Sequence, residues 1–190
     1  MRIIAGECRG MRLFSPDTQR IRPTPDRVKG AMFSMLGGFM DGAVVLDLFA
    51  GTGSLGLEAL SRGASFCRFC DNSRESLALI ERNVAHCRMG ERSEILRRGF
   101  EQALSPGGPK ADIIFLDPPH HDSRYGKCLE LIALNGVLRE GGVVVAEHGA
   151  KLPPDAGLSG LCAVKRRAYG SVGVTLFSQE PTAWGREWDQ

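Results

Sequence analysis

The 190-residue chain contains no apolar run near the roughly 20 residues that a membrane-spanning helix requires. Its opening stretch, MRIIAGECRG, lacks the apolar core of an export signal, so a cytoplasmic location is expected. Histidine is scarce, with four residues at positions 86, 120, 121 and 148. Six cysteines include a single CxxC, Cys67 and Cys70, and no second pair or histidine follows at zinc-ligand spacing. CRFC also reads as part of a strand, where a three-residue step puts the two thiols on opposite faces. Free, reduced cysteines are expected, with no metal. Internal repeats and low-complexity segments are absent. What remains is enough chain for one α/β domain with a full core and a small extension.

Charge is spread unevenly. The net charge is +2. Residues 1–30 hold seven Lys/Arg (Arg2, Arg9, Arg12, Arg20, Arg22, Arg27, Lys29) against Glu7, Asp17 and Asp26. A basic arm on a near-neutral body fits a polyanionic partner, and equally a solvated leader.

Strand-like and helix-like segments alternate, which predicts a mostly parallel sheet covered on both faces. In TPDRV, Thr24 reads as an N-cap, Pro25 as the first helical residue and Asp26 as an acid near the positive end of the dipole. Val28, Ala31, Met32, Met35 and Leu36 then form one apolar stripe, which Gly37 and Gly38 end. VVLDLF, FCRFCD, SEILRR, DIIFLD and GGVVVAEH read as five strands. Ser73 caps a helix carrying Leu77, Ile80 and Val84, and RYGKCLELIALNG is another helix. LCAVKRRAYGSVGVTLFS reads as two strands, antiparallel because no helix separates them.

GTGSLG, residues 51–56, matches GxGxxG between a strand and a helix, the context of a dinucleotide site. Asp47 in the preceding strand argues otherwise, because a carboxylate there would face a pyrophosphate. Asp71 ends the next strand, where a carboxylate can accept both hydroxyls of a ribose. Acid, glycine turn, acid describes a site for S-adenosylmethionine, with its cationic amino-acid moiety. The plainer reading makes Asp47 a turn cap and the glycines a packing device.

FLDPPHH, residues 115–121, ends an apolar run in Asp117 and then forbids both strand and helix with two prolines. The carboxylate and the adjoining carbonyls all accept, so the site waits for a donor.

These residues carry a resemblance. DLFAGTGSLGLEALSRGA with a downstream DPPH resembles the class I S-adenosylmethionine-dependent methyltransferases, in the branch that methylates exocyclic amines. With RIIAGECRGMRL, RPTPDRVKGAMFSML and AYGSVGVTLF, nearly the whole chain resembles the bacterial 16S rRNA (guanine-N2)-methyltransferase family. The resemblance implies an α/β, Rossmann-like, doubly wound and mostly parallel seven-stranded sheet with an antiparallel C-terminal hairpin. It implies a basic extension over residues 1–40, a short hairpin plus helix, and a methyltransferase domain over 41–190. The expected reaction is methyl transfer from S-adenosylmethionine to N2 of a guanine in 16S rRNA, within a small-subunit particle, by a monomer. Implied cofactor residues are Asp47, Phe49, Gly51, Gly53, Asp71, Asn72, Gly99, Phe100 and Asp117. Arg9, Arg12, Arg22 and Arg27 would meet phosphates, although Arg27 could instead pair with a helix carboxylate.

Catalysis is assigned to Asp117, Pro118, Pro119 and His120. An exocyclic amine is a poor nucleophile, so its lone pair must be aimed. Asp117 and the Pro118 carbonyl accept from its two N–H bonds, and the carboxylate stabilises the charge that develops. His120 stands where the family stacks an aromatic ring on the base, worth about 1–3 kcal/mol, or it hydrogen-bonds a loop. His86 and His148 read as surface or loop residues. Departures from the family pattern are Cys8 for a Trp, Gly30 for a Glu, His120 for Phe or Tyr, and Gly99 for an acid or Asn. Gly99 implies a weakened hold on the adenine amine. Alternatives are an adenine-N6 methyltransferase, for whose target-recognition region 190 residues leave little room, and a non-catalytic RNA-binding relic.

Overall fold

The structure, a computed structural model, describes residues 1–16, 25–118, 124–157 and 159–180. Arg20, Arg22, Thr24, Pro119, His120 and His121 lie outside them.

Seven strands form one sheet: β1 (Val44–Leu48), β2 (Phe66–Asp71), β3 (Ser93–Arg97), β4 (Ala111–Leu116), β5 (Leu138–Gly149), β6 (Cys162–Tyr169) and β7 (Val172–Ser178). Their order is β3-β2-β1-β4-β5-β7-β6. The first five pair in parallel, and β7 runs antiparallel to both β5 and β6. Gly170, at φ +65°, lies in the tight turn that joins Tyr169 to Val172. Among the described residues the α-helices are α1 (Asp26–Leu36), α2 (Ser54–Ser61), α3 (Arg74–His86), α4 (Phe100–Ala103) and α5 (Arg124–Leu134). The sheet is the mixed, seven-stranded one expected. Strand order reverses between β1 and β4, the place where doubly wound sheets open a crevice at their carboxyl ends.

Alternation along each strand divides the core. Val45, Phe69, Phe115 and Val145 face one side, with apolar residues of α1, α2 and α3. Leu46, Cys70, Leu116 and Ala146 face the other, with α4 and α5. Cys67 belongs to the first side and Cys70 to the second, and all six cysteines are free. The stripe of α1 buries Val28, Met32, Met35 and Leu36, as its spacing predicts. The helix starts one residue later than expected: Pro25 is the residue before it, in extended geometry, and Asp26 opens the first turn.

Residues 1–16 are fastened to the body. Ile3 N–H donates to Met11 O at 2.9 Å and Gly10 N–H to Ile3 O at 2.9 Å, closing a short hairpin. Ile3 and Leu13 enter the first core. Glu58 of α2, fully buried, accepts the backbone N–H groups of Ile4 (2.8 Å) and Ala5 (3.1 Å). The same carboxylate pairs with Arg62 Nε at 2.7 Å and with the buried Lys29 Nζ at 3.2 Å. Lys29 also donates to Arg2 O at 2.7 Å. Burial pulls the Lys29 ammonium below its ordinary value, and Glu58 opposes that fall. Gly6 fits where nothing larger could: a Cβ would lie 1.6 Å from Ser61 O. Further along, the buried Asn83 amide clasps Phe14, accepting its N–H at 2.8 Å and donating to its carbonyl at 2.9 Å. For residues 1–16 the solvated-leader reading therefore fails, because two buried polar side chains hold their main chain.

Candidate active site

Between β1 and α2 the chain turns sharply. Phe49 stands at φ +60°, rare for a residue with a side chain. Gly51 and Gly53 follow at +58° and +77°, and a Cβ at Gly51 would meet nothing closer than 3.9 Å. Gly51 is thus glycine for its backbone angle, and it leaves space in front of the turn. Gly56 has a different reason, since a Cβ there would lie 2.4 Å from the Phe69 ring and 2.5 Å from Cys67 Sγ. The third glycine of the motif lets α2 press onto β2.

Several amides of this turn and of the helix start are already occupied. Asp71 Oδ2 accepts Gly51 N–H at 2.9 Å, and its Oδ1 accepts Ser73 N–H at 2.9 Å. Asp47 Oδ2 accepts Gly56 N–H at 2.9 Å, and Gly53 N–H reaches Ala50 O at 2.7 Å. A pyrophosphate would need those donors free and would meet two carboxylates behind them. The turn-cap reading of Asp47 is realised, and it is compatible with a cationic ligand.

Asp71, Asp47 and Asp117 stand at or near the ends of β2, β1 and β4. Alternation places each on the face of Phe69, Val45 and Phe115. A fourth acid, Glu147 of β5, follows on the same face beyond Val145 and is 3% exposed. Leu116 is in register with Ala146, so Asp117, just past the end of β4, and Glu147, within β5, lie side by side. The result is a row of four carboxylates across β2-β1-β4-β5, spanning the β1/β4 reversal. Loss of hydration pushes the Asp47 carboxyl up to about 7, against the relief from the Gly56 N–H and helped by Asp71. Burial, then the charges of Glu147 and Asp47, push Asp117 well above the carboxylate range. Pro118 follows, buried.

Beside the row lies a cavity of about 280 Å³. Phe49, Asp71, Asn72, Gly99 and Phe100, five of the residues named from the sequence, line it together with Cys70, Arg98, Glu101 and Arg124. The Phe49 and Phe100 rings, 5.4 Å apart and tilted by 41°, make one apolar wall. Asp47, Gly51, Gly53 and Asp117 stand outside that lining, on the turn and the strand ends. An apolar wall, the Asp71 carboxylate in the lining and an acidic row beside it fit the apolar and cationic parts of S-adenosylmethionine. Among the described residues, no group of three His, Cys, Asp or Glu is placed to hold a metal.

Arg9, Arg12 and Arg27 are all exposed. Arg2 pairs with Asp26 at 2.8 Å. His148 is neither loop nor surface: it is 1% exposed in β5, with Nδ1 on Gly149 O and Nε2 on Thr175 Oγ1, both at 2.8 Å. Strand β5 runs on because β7 pairs with it, and Gly173 opposite has no side chain to displace the ring. His86 is at the surface, its ring 5.1 Å from that of Phe14. Sequence reasoning missed Glu147, although VVVAE repeats the apolar-run-then-acid pattern of VVLD and DIIFLD. It also missed Glu101, Arg98 and Arg124, for which no spacing signal exists.

The family model described as Conserved hypothetical protein 95 matches residues 1–178. A Bacillus subtilis protein named putative rRNA methyltransferase YlbH is 34% identical over 182 residues, covering 94% of this chain and 99% of that one. Ribosomal RNA small subunit methyltransferase D of Escherichia coli K12 is 33% identical over 180 residues, covering 95% and 90%. The solved structure of the putative methyltransferase yhhF from Escherichia coli superposes with a TM-score of 0.84 at 29% identity, covering 95% of this chain and 98% of the other.

Proposed function

This chain belongs to the Conserved hypothetical protein 95 family, and from that premise we propose that it transfers a methyl group from S-adenosylmethionine to the exocyclic N2 of a guanine in 16S rRNA. The observation that carries the reading is the row of acceptors at the ends of β2, β1, β4 and β5, which suits a cationic donor and an amine target. Relatives named as rRNA small subunit methyltransferases support the choice of RNA.

When bound, S-adenosylmethionine supplies an electrophilic methyl on a sulfonium. Phe49, Phe100 and Asn72 would hold the nucleoside part and Asp71 its ribose. Asp47, Gly51 and Gly53 would face the amino-acid part. Asp117 and the Pro118 carbonyl accept from the two N–H bonds of the guanine amine, which aims the nitrogen lone pair. In its ionised form Asp117 stabilises the positive charge that the nitrogen gains and takes up the proton it sheds. Pro119 fixes the chain beyond, and His120 stacks on the base. Arg9, Arg12, Arg22 and Arg27 meet phosphates, so residues 1–40 serve as the RNA-contact extension of the 41–190 domain. The enzyme works as a cytoplasmic monomer on a small-subunit particle.

The test incubates the protein with labelled S-adenosylmethionine and small-subunit particles that lack the modification. N2-methylguanosine in the nucleoside digest supports the reading. N6-methyladenosine would reassign the target, and the absence of label would leave a non-catalytic RNA binder.

A further inference from the structure

Gly99 precedes α4 with ordinary angles, φ −70° and ψ 163°, and no side chain caps the helix. The space in front of it is filled from elsewhere. A Cβ at residue 99 would lie 3.5 Å from Glu101 Oε2 and 4.0 Å from Asn72 Nδ2. Glu101 therefore folds back over the glycine, with Oε2 on the Gly99 side. Its other oxygen, Oε1, is 3.3 Å from Lys127 Nζ. The two oxygens are divided between an ion pair and the cavity that Glu101, Asn72, Asp71 and the two phenylalanines line.

We propose that Glu101 is the specificity residue for the base of the methyl donor, accepting a hydrogen bond from the adenine amine at the place where Gly99 leaves room. The inference rests on the methyl-donor reading of this cavity and goes beyond it. Adenine offers an N–H donor at its exocyclic position, and a deaminated purine offers a carbonyl oxygen there. A carboxylate accepts from the first and repels the second. A site built to hydrogen-bond one group disfavours the analogue that lacks it, here by setting two acceptors against each other. Gly99 is then no loss of function. An acid at residue 99 and Glu101 would compete for one space, at like charge.

Calorimetry on the full chain tests this, using S-adenosylhomocysteine and its deaminated counterpart, S-inosylhomocysteine. The wild type should prefer the adenosine form by about tenfold or more. Glu101→Gln, whose amide can donate as well as accept, should shrink the preference to about threefold or less. Glu101→Ala should weaken the adenosine form about tenfold and leave the inosine form nearly unchanged. Gly99→Asp should gain nothing in the wild type and restore the preference in the Glu101→Gln chain. The side chain of Glu101 is half exposed, so these variants keep the core. An undiminished preference in Glu101→Gln and Glu101→Ala would overturn the inference. So would equal binding of both compounds by the wild type. Binding of neither compound would instead sink the methyl-donor reading itself.

Discussion

Replacing Asp47 by Asn removes one ionisable group and keeps an acceptor for the Gly56 N–H. The wild-type carboxyl is 2% exposed and sits at about 7, against an ordinary 3.8. Between those values the folded chain holds a proton that the unfolded chain releases. Stability is therefore present below about pH 4 and lost as pH rises towards 7. At about 1.4 kcal/mol for each tenfold change in proton affinity, that loss is of order 4 kcal/mol. Without ligand, Asp47→Asn should match the wild type near pH 4 and exceed it near pH 8, by up to about 4 kcal/mol in urea denaturation. Binding reverses the ranking. A ligand with fixed positive charge favours the carboxylate, so the wild type must shed a proton to bind below its pKa. Its affinity for S-adenosylmethionine should fall about tenfold from pH 8 to pH 6, with nearly one proton released at pH 6. Calorimetry in buffers of different ionisation enthalpy counts that proton. Asp117 and Glu147 stand in the same row, so Asp117→Asn is the control: it should keep the step near 7 that Asp47→Asn abolishes. A flat affinity from pH 6 to 8, together with equal stabilities near pH 8, would refute the reasoning.

Asp117→Asn should cut methyl transfer by about 10²- to 10³-fold, with cofactor affinity within about threefold of wild type, read by label transfer and calorimetry. Glu58→Gln leaves Lys29 buried without its carboxylate and should destabilise the fold by about 3–5 kcal/mol in urea; Lys29→Met in the same chain should recover part of that loss. Arg9→Ala and Arg12→Ala should each weaken RNA binding uniformly across sequences and lower the slope of log affinity against log salt by roughly 0.7–0.9.

The strands and their directions were legible because apolar runs alternate with helical stripes and no helix separates the last two strands. The start of β5 was not, because residues 138–140 precede the GGVVVAEH run and join the strand through the pairing of Leu138 with Ala111. The pairing of His148 with Gly173 of β7 explains why an apparent loop histidine is buried. Asp71 and Asp117 could be read because each closes an apolar run, and Asp47 because it interrupts one just before the glycine turn. Glu147 closes one too, but the histidine and glycine after it disguised the ending. Glu101 was out of reach: its place depends on α4, a single turn with no periodicity of its own. The docking of the arm was equally hidden, since nothing local marks Glu58 or Asn83 as its anchors.

The arm has a kinetic consequence. Ile4 and Ala5 meet Glu58, Cys8 meets Ser61, and Phe14 meets Asn83, so each contact closes a loop of 53 to 69 residues. Such closures come late, after nearer pairings have formed. During synthesis Ile4, Ala5 and Cys8 must wait for α2, and Phe14 for α3, to leave the ribosome. The segment proposed to grip ribosomal RNA is thus made before its anchors and seated after them.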